Sequence, residues 1–373
     1  MKMLDRQTDR QTRHRNTNLE LFRIVSMLFI VANHYVVNSG MMAEMSANPF
    51  AVNSLFFYLF GAWGKTAING FVMITGYFMC KSHITVKKFL KLLFEVEFYN
   101  ILIYLIFSVT GYNSFSFLDF LKAIFPIKGI ETDFSSTFLV FYLFIPFLNV
   151  LLKNINEKMH LGLISLCLFI YTLLGTVPKF PVSMNYVSWF ITVFFVSSYV
   201  RLYPKEIFCK DKLWGIATII SIVISSISIV FCLYLGVGDY YFLSDSNKIL
   251  ALVTAFSAFM YFKNVHIPYS KTINTIASAT FGVLLIHANS DTMRWWLWND
   301  VLHNSIVFNS SWCYLHFVGS VICIYIICTC IDLIRINFLE KPFFRWYDKK
   351  SIHIIEQINR LGVKLLQILN IQL

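Results

Sequence analysis

The chain has 373 residues, of which 57% are hydrophobic and only 14% charged, with a mean hydropathy of +0.64 and a formal net charge of +11. A soluble domain needs roughly a quarter charged residues to solvate its surface, so a soluble fold is excluded. A nucleic-acid interface is excluded too, because the basic residues sit between apolar blocks and not on one patch with interleaved aromatics.

The N-terminus carries Lys2, Arg6, Arg10, Arg13 and Arg15, and Asp-Arg-Gln-Thr occurs twice in tandem, at 5–8 and 9–12. Residues 1–18 read as a basic, disordered extension, and the apolar run that follows reads as a retained signal anchor. Long apolar runs then occur at 19–38, 55–80, 89–110, 135–152, 161–177, 186–203, 213–235, 248–262, 274–290 and 312–334. Most have the length that a helix needs to cross a bilayer core, about 17–25 residues; the eighth is short. They are continuous and lack the alternation of barrel strands. The fold class expected is therefore all-α: a polytopic transmembrane helical bundle of about ten spans, occupying 19–346. Residues 347–373 are expected to form an amphipathic cytoplasmic tail.

With the N-terminus in the cytoplasm, only Lys65, Lys122, Lys128, Lys179, Lys248 and Arg294 of the 31 lysines and arginines fall on the outer side. That asymmetry predicts that both termini are cytoplasmic. The eight cysteines include no C-x-x-C pair and lie mostly inside apolar runs, so neither a disulfide framework nor a zinc site is expected. No hydrolase elbow, zincin or nucleotide-binding loop motif occurs.

Ionisable groups inside spans are costly and are functional candidates by default. The first run has the densest set: Asn18-Leu-Glu20-Leu-Phe-Arg23, then Asn33-His34-Tyr35. Glu20 and Arg23 share a helix face and can pair. His34 lies about 21 Å further along the axis at 1.5 Å per residue, and close to four turns places it on the same stripe. The residues alone leave two readings of His34 open: a hydrogen-bonded structural imidazole, or a general base. Lys81, Lys87, Lys88 and Lys91 cluster between the second and third runs. On the residues alone that cluster is a positive-inside signal. A second imidazole, His287, ends Phe281-Gly-Val-Leu-Leu-Ile-His287, followed by Asn289, Asp291 and Arg294.

Asn18-Leu-Glu-Leu-Phe-Arg through Asn33-His34-Tyr resembles the first-helix signature of the acyltransferase-3 family of bacterial membrane O-acyltransferases. Four further segments resemble the family's later helices, in order: Asn69-Gly-Phe-Val-Met-Ile-Thr-Gly76-Tyr-Phe, Phe141 to Asn149, Trp189-Phe-Ile through Tyr199-Val-Arg201-Leu-Tyr, and Phe281 to Asn289. The likeness covers roughly 16–346, in a family with ten spans.

The resemblance implies transfer of an acyl group, usually acetyl from acetyl-CoA, to a hydroxyl of a surface glycan or its lipid-linked precursor. It makes His34 the catalytic histidine; Glu20, Asn33 and His287 stand as further candidates from the residues themselves, and no metal is expected. The family's Arg-x-x-Arg at the start of the third span corresponds to Lys88-x-x-Lys91, which keeps point charges for phosphate but loses the bidentate fork. Arg23 and Arg201 are expected to help hold the acyl-CoA. The tryptophan often found at the start of the fourth span is replaced near Thr137. The partners implied are acyl-CoA, a glycan acceptor and membrane lipids, in the bacterial cytoplasmic membrane. The alternative is a multi-pass transporter or flippase of a glycan or lipid intermediate, which the absence of obvious Gly/Pro-broken paired helices argues against.

Overall fold

The computed structural model describes residues 16–125, 127, 133–178, 180, 182 and 184–350. Most of the N-terminal extension and of the amphipathic tail lies outside these residues. Among the described residues there is no strand. In chain order the helices are α1 (Thr17–Val37), α2 (Met41–Ala47), α3 (Val52–Gly61), α4 (Gly64–Met79), α5 (Val86–Val109), α6 (Phe117–Ile124), α7 (Phe134–Asn154) and α8 (Glu157–Leu168). They continue as α9 (Tyr186–Leu202), α10 (Asp211–Leu235), α11 (Ile249–Asn264), α12 (Lys271–Ser278), α13 (Thr280–His287), α14 (Asp291–Trp295), α15 (Asn304–Val307) and α16 (Cys313–Arg335).

Every apolar run of the sequence is helical. Helices in six regions are long and apolar enough to cross a membrane: α1, α5, α7, α8 with its π-helical extension to Leu174, α10, and the run beginning with α16. Two shorter apolar helices are α9 and α11. Several of their starts carry polar caps: Thr85 accepts from the Lys88 amide on α5, Asp133 from Ser136 on α7, and Asn185 from Val187 on α9. Each such cap satisfies one of the amides that a helix start leaves unpaired. Outward residues such as Ile216, Ile219, Val223 and Ile227 on α10 are 50–64% exposed, an apolar face suited to lipid.

The runs 55–80 and 274–290 differ from expectation, because neither is a continuous helix. The first breaks at Ala62–Trp63 between α3 and α4, and the second at Ala279 between α12 and α13. A break at membrane depth frees backbone groups that only the protein can satisfy. At the first break Asn33 of α1 does so: its Nδ2 donates to the Gly61 carbonyl at 2.6 Å. The presence of such breaks removes one argument that the sequence offered against a transporter.

α4 is the central element, packed against α1, α9 and α11. Small residues permit this. A Cβ on Gly64 would overlap Asn33, one on Gly70 would lie 2.8 Å from Phe22 Cζ, and one on Gly76 would overlap Ser197 and sit 3.1 Å from the Phe194 Cα. Close backbone approach through small residues is how membrane helices pack, since lipid supplies no hydrophobic drive between them. Asn69, fully buried on α4, adds polar ties: its Nδ2 donates to the Ser246 carbonyl at 2.7 Å, and its Oδ1 accepts from Trp189 Nε1 at 2.8 Å.

The chain divides into two units, Met1–Thr329 and Cys330–Leu373. In the second, Arg335 is buried between two carboxylates, Asp332 at 2.6 Å and Glu340 at 2.7 Å. None of the eight cysteines forms a disulfide, and among the described residues no group of histidines, cysteines and carboxylates has a metal-binding arrangement.

Candidate active site

Packing of α13 against α1 brings together the imidazole that ends α13 and the one in the last turn of α1. His34 Nδ1 lies 3.0 Å from His287 Nε2, with ring centroids 5.1 Å apart and planes tilted by 46°. His287 is fully buried, and its Nδ1 is 2.6 Å from the Val283 carbonyl oxygen one turn earlier on α13. A carbonyl only accepts, so His287 Nδ1 carries a proton. With both rings neutral, His287 Nε2 is then the acceptor and His34 Nδ1 the donor. The network therefore assigns the bare lone pair to His34 Nε2.

His34 lines a cavity of about 130 Å³, whereas His287 does not. The cavity lies among α1, α4, α5, α7, α9 and the end of α13, and its polar wall includes Asn33, Lys65, Asn100, Asp133, Tyr186 and Arg294. Asp133 is engaged as the α7 cap, accepting from the Ser136 amide at 2.8 Å and from the Ser135 hydroxyl at 2.7 Å. Lys65 donates to the Tyr186 hydroxyl and sits 3.6 Å from Asp245, and that hydroxyl donates to Asp245 Oδ1 at 2.9 Å. Three separate segments thus meet around one ammonium, and Lys65 and Tyr186 of the three line the cavity. Arg294 pairs with Asp291 on α14.

The remaining candidates lie elsewhere. Glu20, only 5% exposed, pairs with Arg23 at 3.5 Å, as the three-residue spacing predicted. Arg23 stacks over Phe71 of α4 at 5.2 Å, and Arg201 over Tyr77 of the same helix at 4.8 Å. Arg201 Nη1 donates to the Tyr77 hydroxyl at 2.9 Å, while its Nε is buried with no hydrogen-bond partner among the described residues. Lys88 is exposed and donates to Ser82 Oγ at 2.9 Å and to the His83 carbonyl at 2.7 Å. Lys91, also exposed, lies one turn further along α5. Neither lysine lines the His34 cavity, nor does either arginine.

Sequence reasoning missed Lys65, Tyr186 and Asp245. A signal existed for Lys65, a lysine inside an apolar run, which the charge asymmetry had absorbed as an outer-side residue. It also missed His316, whose Nδ1 is 2.7 Å from the Tyr35 hydroxyl. His160 is fully buried in α8 with Nε2 3.0 Å from the Phe195 carbonyl oxygen.

The family model described as an acyltransferase domain, acyltransferase-3, matches residues 16–331. No curated protein and no solved structure matches the chain.

Proposed function

The chain belongs to the acyltransferase-3 family and is a membrane acyltransferase; from that premise we propose that it moves an acyl group, usually acetyl, from cytoplasmic acyl-CoA to a hydroxyl of a cell-surface glycan or its lipid-linked precursor. The observation that carries the reading is the relay from the Val283 carbonyl through His287 to His34, which leaves His34 Nε2 unprotonated beside the cavity.

In this reaction the acceptor hydroxyl gives its proton to His34 Nε2 while its oxygen bonds to the thioester carbon. The carbon–sulfur bond then breaks, and His34 returns the proton to the departing thiolate. His287 acts through His34, fixing its tautomer and orientation as the third group does in a catalytic triad. Negative charge develops on the former carbonyl oxygen, and the Lys65 ammonium, already oriented by Tyr186 and Asp245, is suited to stabilise it. No cysteine lines the cavity, so direct transfer is preferred to a cysteine-bound intermediate.

For the donor, Lys88 and Lys91 stand at the positions of the family's Arg-x-x-Arg, and Arg23 and Arg201 are further cations expected toward the cytoplasmic side. The spare buried Nε of Arg201 supports a role in holding phosphate. The bacterial cytoplasmic membrane suits this chemistry, with donor and acceptor on opposite faces.

The test is acyl transfer by purified protein in lipid nanodiscs, with acetyl-CoA as donor and the host's own surface polysaccharide, stripped of acyl groups by mild alkali, as acceptor. His34→Gln should lower turnover by about 10²–10⁴-fold, the usual contribution of a general base, in protein that remains folded and inserted. Undiminished transfer by that variant would remove the assignment of the base.

A further inference from the structure

The His34 cavity, at about 130 Å³, is smaller than the roughly 300–1,000 Å³ typical of small-molecule sites. A sugar residue and an acyl thioester cannot both occupy it. A second cavity of about 390 Å³ lies beside it, between the C-terminal half of α5, α6 and the residues Ser290–Thr292. Asn100 and Asn289 line both cavities. Asn289 Nδ2 donates to Asn100 Oδ1 at 3.2 Å and to the Leu285 carbonyl at 3.2 Å, so one amide pair forms the wall that the two spaces share.

The wall chemistry of the larger cavity selects among ligands. Asn113 Nδ2 donates to Thr292 Oγ1 at 3.3 Å, and Asp119 pairs with Lys122 at 2.8 Å. Hydrogen bonds from Lys122 and then from Ser116 hold the Asp119 carboxyl below the usual carboxylate range, so it presents an acceptor. Tyr104 provides a ring locked in place: its hydroxyl donates to the Ser116 carbonyl at 2.6 Å and accepts from the Ser116 amide at 3.0 Å. Amides, hydroxyls and an Asp119–Lys122 ion pair without net charge, interleaved with Ile103, Tyr104 and Phe107, suit a hydroxyl-rich neutral ligand. They offer a polyphosphate no net positive charge, and an acyl chain would leave the wall's remaining hydrogen-bonding capacity unused.

We propose that the larger cavity is the acceptor subsite, holding a sugar residue of the glycan, and that the Asn100–Asn289 hydrogen bond is the partition past which one hydroxyl of that residue reaches His34. This rests on the transfer reaction proposed above and adds the place and chemistry of acceptor recognition. The asparagine pair is a positioning device: one residue on α5 and one two positions after His287 form the wall together, apart from the His34–His287 contact.

Ala123, 6% exposed and lining only the larger cavity, provides the test. Ala123→Trp fills the space and should raise the KM for the de-O-acylated polysaccharide by about tenfold or more, with the KM for acetyl-CoA unchanged. A second variant covers misfolding: Ala123→Cys, after Cys209, Cys323 and Cys330, which are exposed, are replaced by serine. The polysaccharide should slow maleimide labelling of that cysteine severalfold, and acetyl-CoA should not. An unchanged polysaccharide KM in folded Ala123→Trp, or labelling that the polysaccharide leaves unprotected, overturns the subsite. Adding His34→Gln to the labelled variant separates the two ideas. Transfer lost with protection retained supports both; transfer retained with protection retained sinks only the base assignment; transfer lost without protection sinks only the subsite.

Discussion

His34 Nδ1 and His287 Nε2 lie 3.0 Å apart although they stand 253 positions apart in the chain. The geometry makes the two imidazoles unequal, since only His34 lines the cavity and only His287 is tied to a backbone carbonyl. The roles should separate under substitution. His34→Gln should be inactive, whereas His287→Gln retains an amide oxygen able to accept from His34 Nδ1 and should lose about 10–100-fold, the scale of losing an orienting partner. His287→Ala should fall below His287→Gln. Near-normal acylation by His34→Gln with loss in His287→Gln would put the base on the other helix.

Lys65 is predicted to act on turnover. Lys65→Met removes the ammonium beside the cavity, whereas Asp245 is 37% exposed and keeps its hydrogen bond from Tyr186, so abundance should hold while kcat falls by about 10²-fold, the effect of removing an oxyanion partner. Adding Asp245→Asn should leave kcat low. Restored turnover in the double variant would limit Lys65 to structure.

Asn33 is predicted to be structural first, despite being next to His34. Asn33→Ala leaves the Gly61 carbonyl unpaired at the α3–α4 break and should cost about 1–3 kcal/mol, read as a lower midpoint of thermal unfolding in detergent. Gly64→Ala should be worse, because its Cβ meets Asn33 and α1 must shift. A stable Gly64→Ala protein with full activity would contradict the packing of α1 on α4.

The donor prediction concerns kinetics alone. Lys88→Ala with Lys91→Ala should raise the acyl-CoA KM, since charge-assisted contacts to phosphate contribute about 1.5–3 kcal/mol each. The glycan KM should not move. Wild-type kinetics in a normally inserted double variant would leave the pair as topology signals.

Glu20 and Arg23 are predicted to sustain folding and not proton transfer, being about 16–21 Å along α1 from His34 at 1.5 Å per residue. Either single alanine should lower abundance, and the charge-swapped pair should recover it. Normal abundance with abolished turnover in both singles would move the pair into the reaction.

The amino-acid sequence by itself determined the class and much of the architecture. Unbroken apolar runs with few charges admit only helices in lipid, because each backbone group must be satisfied within its own segment. The local pairs were legible for a similar reason: Glu20 and Arg23 are three residues apart, and helical pitch alone makes them neighbours. Asn33, His34 and His287 could be singled out as polar groups in apolar helices, but not related to one another. Tertiary structure decided that α13 lies on α1, so that two distant imidazoles become one donor–acceptor relay with a defined tautomer. It also decided that Lys65, Tyr186 and Asp245 meet, and that the second apolar run breaks where Asn33 can satisfy the freed carbonyl. Periodicity along a chain reports which face of a helix is polar. Which partner that face meets depends on close approach at Gly64, Gly70 and Gly76, a property of two surfaces together.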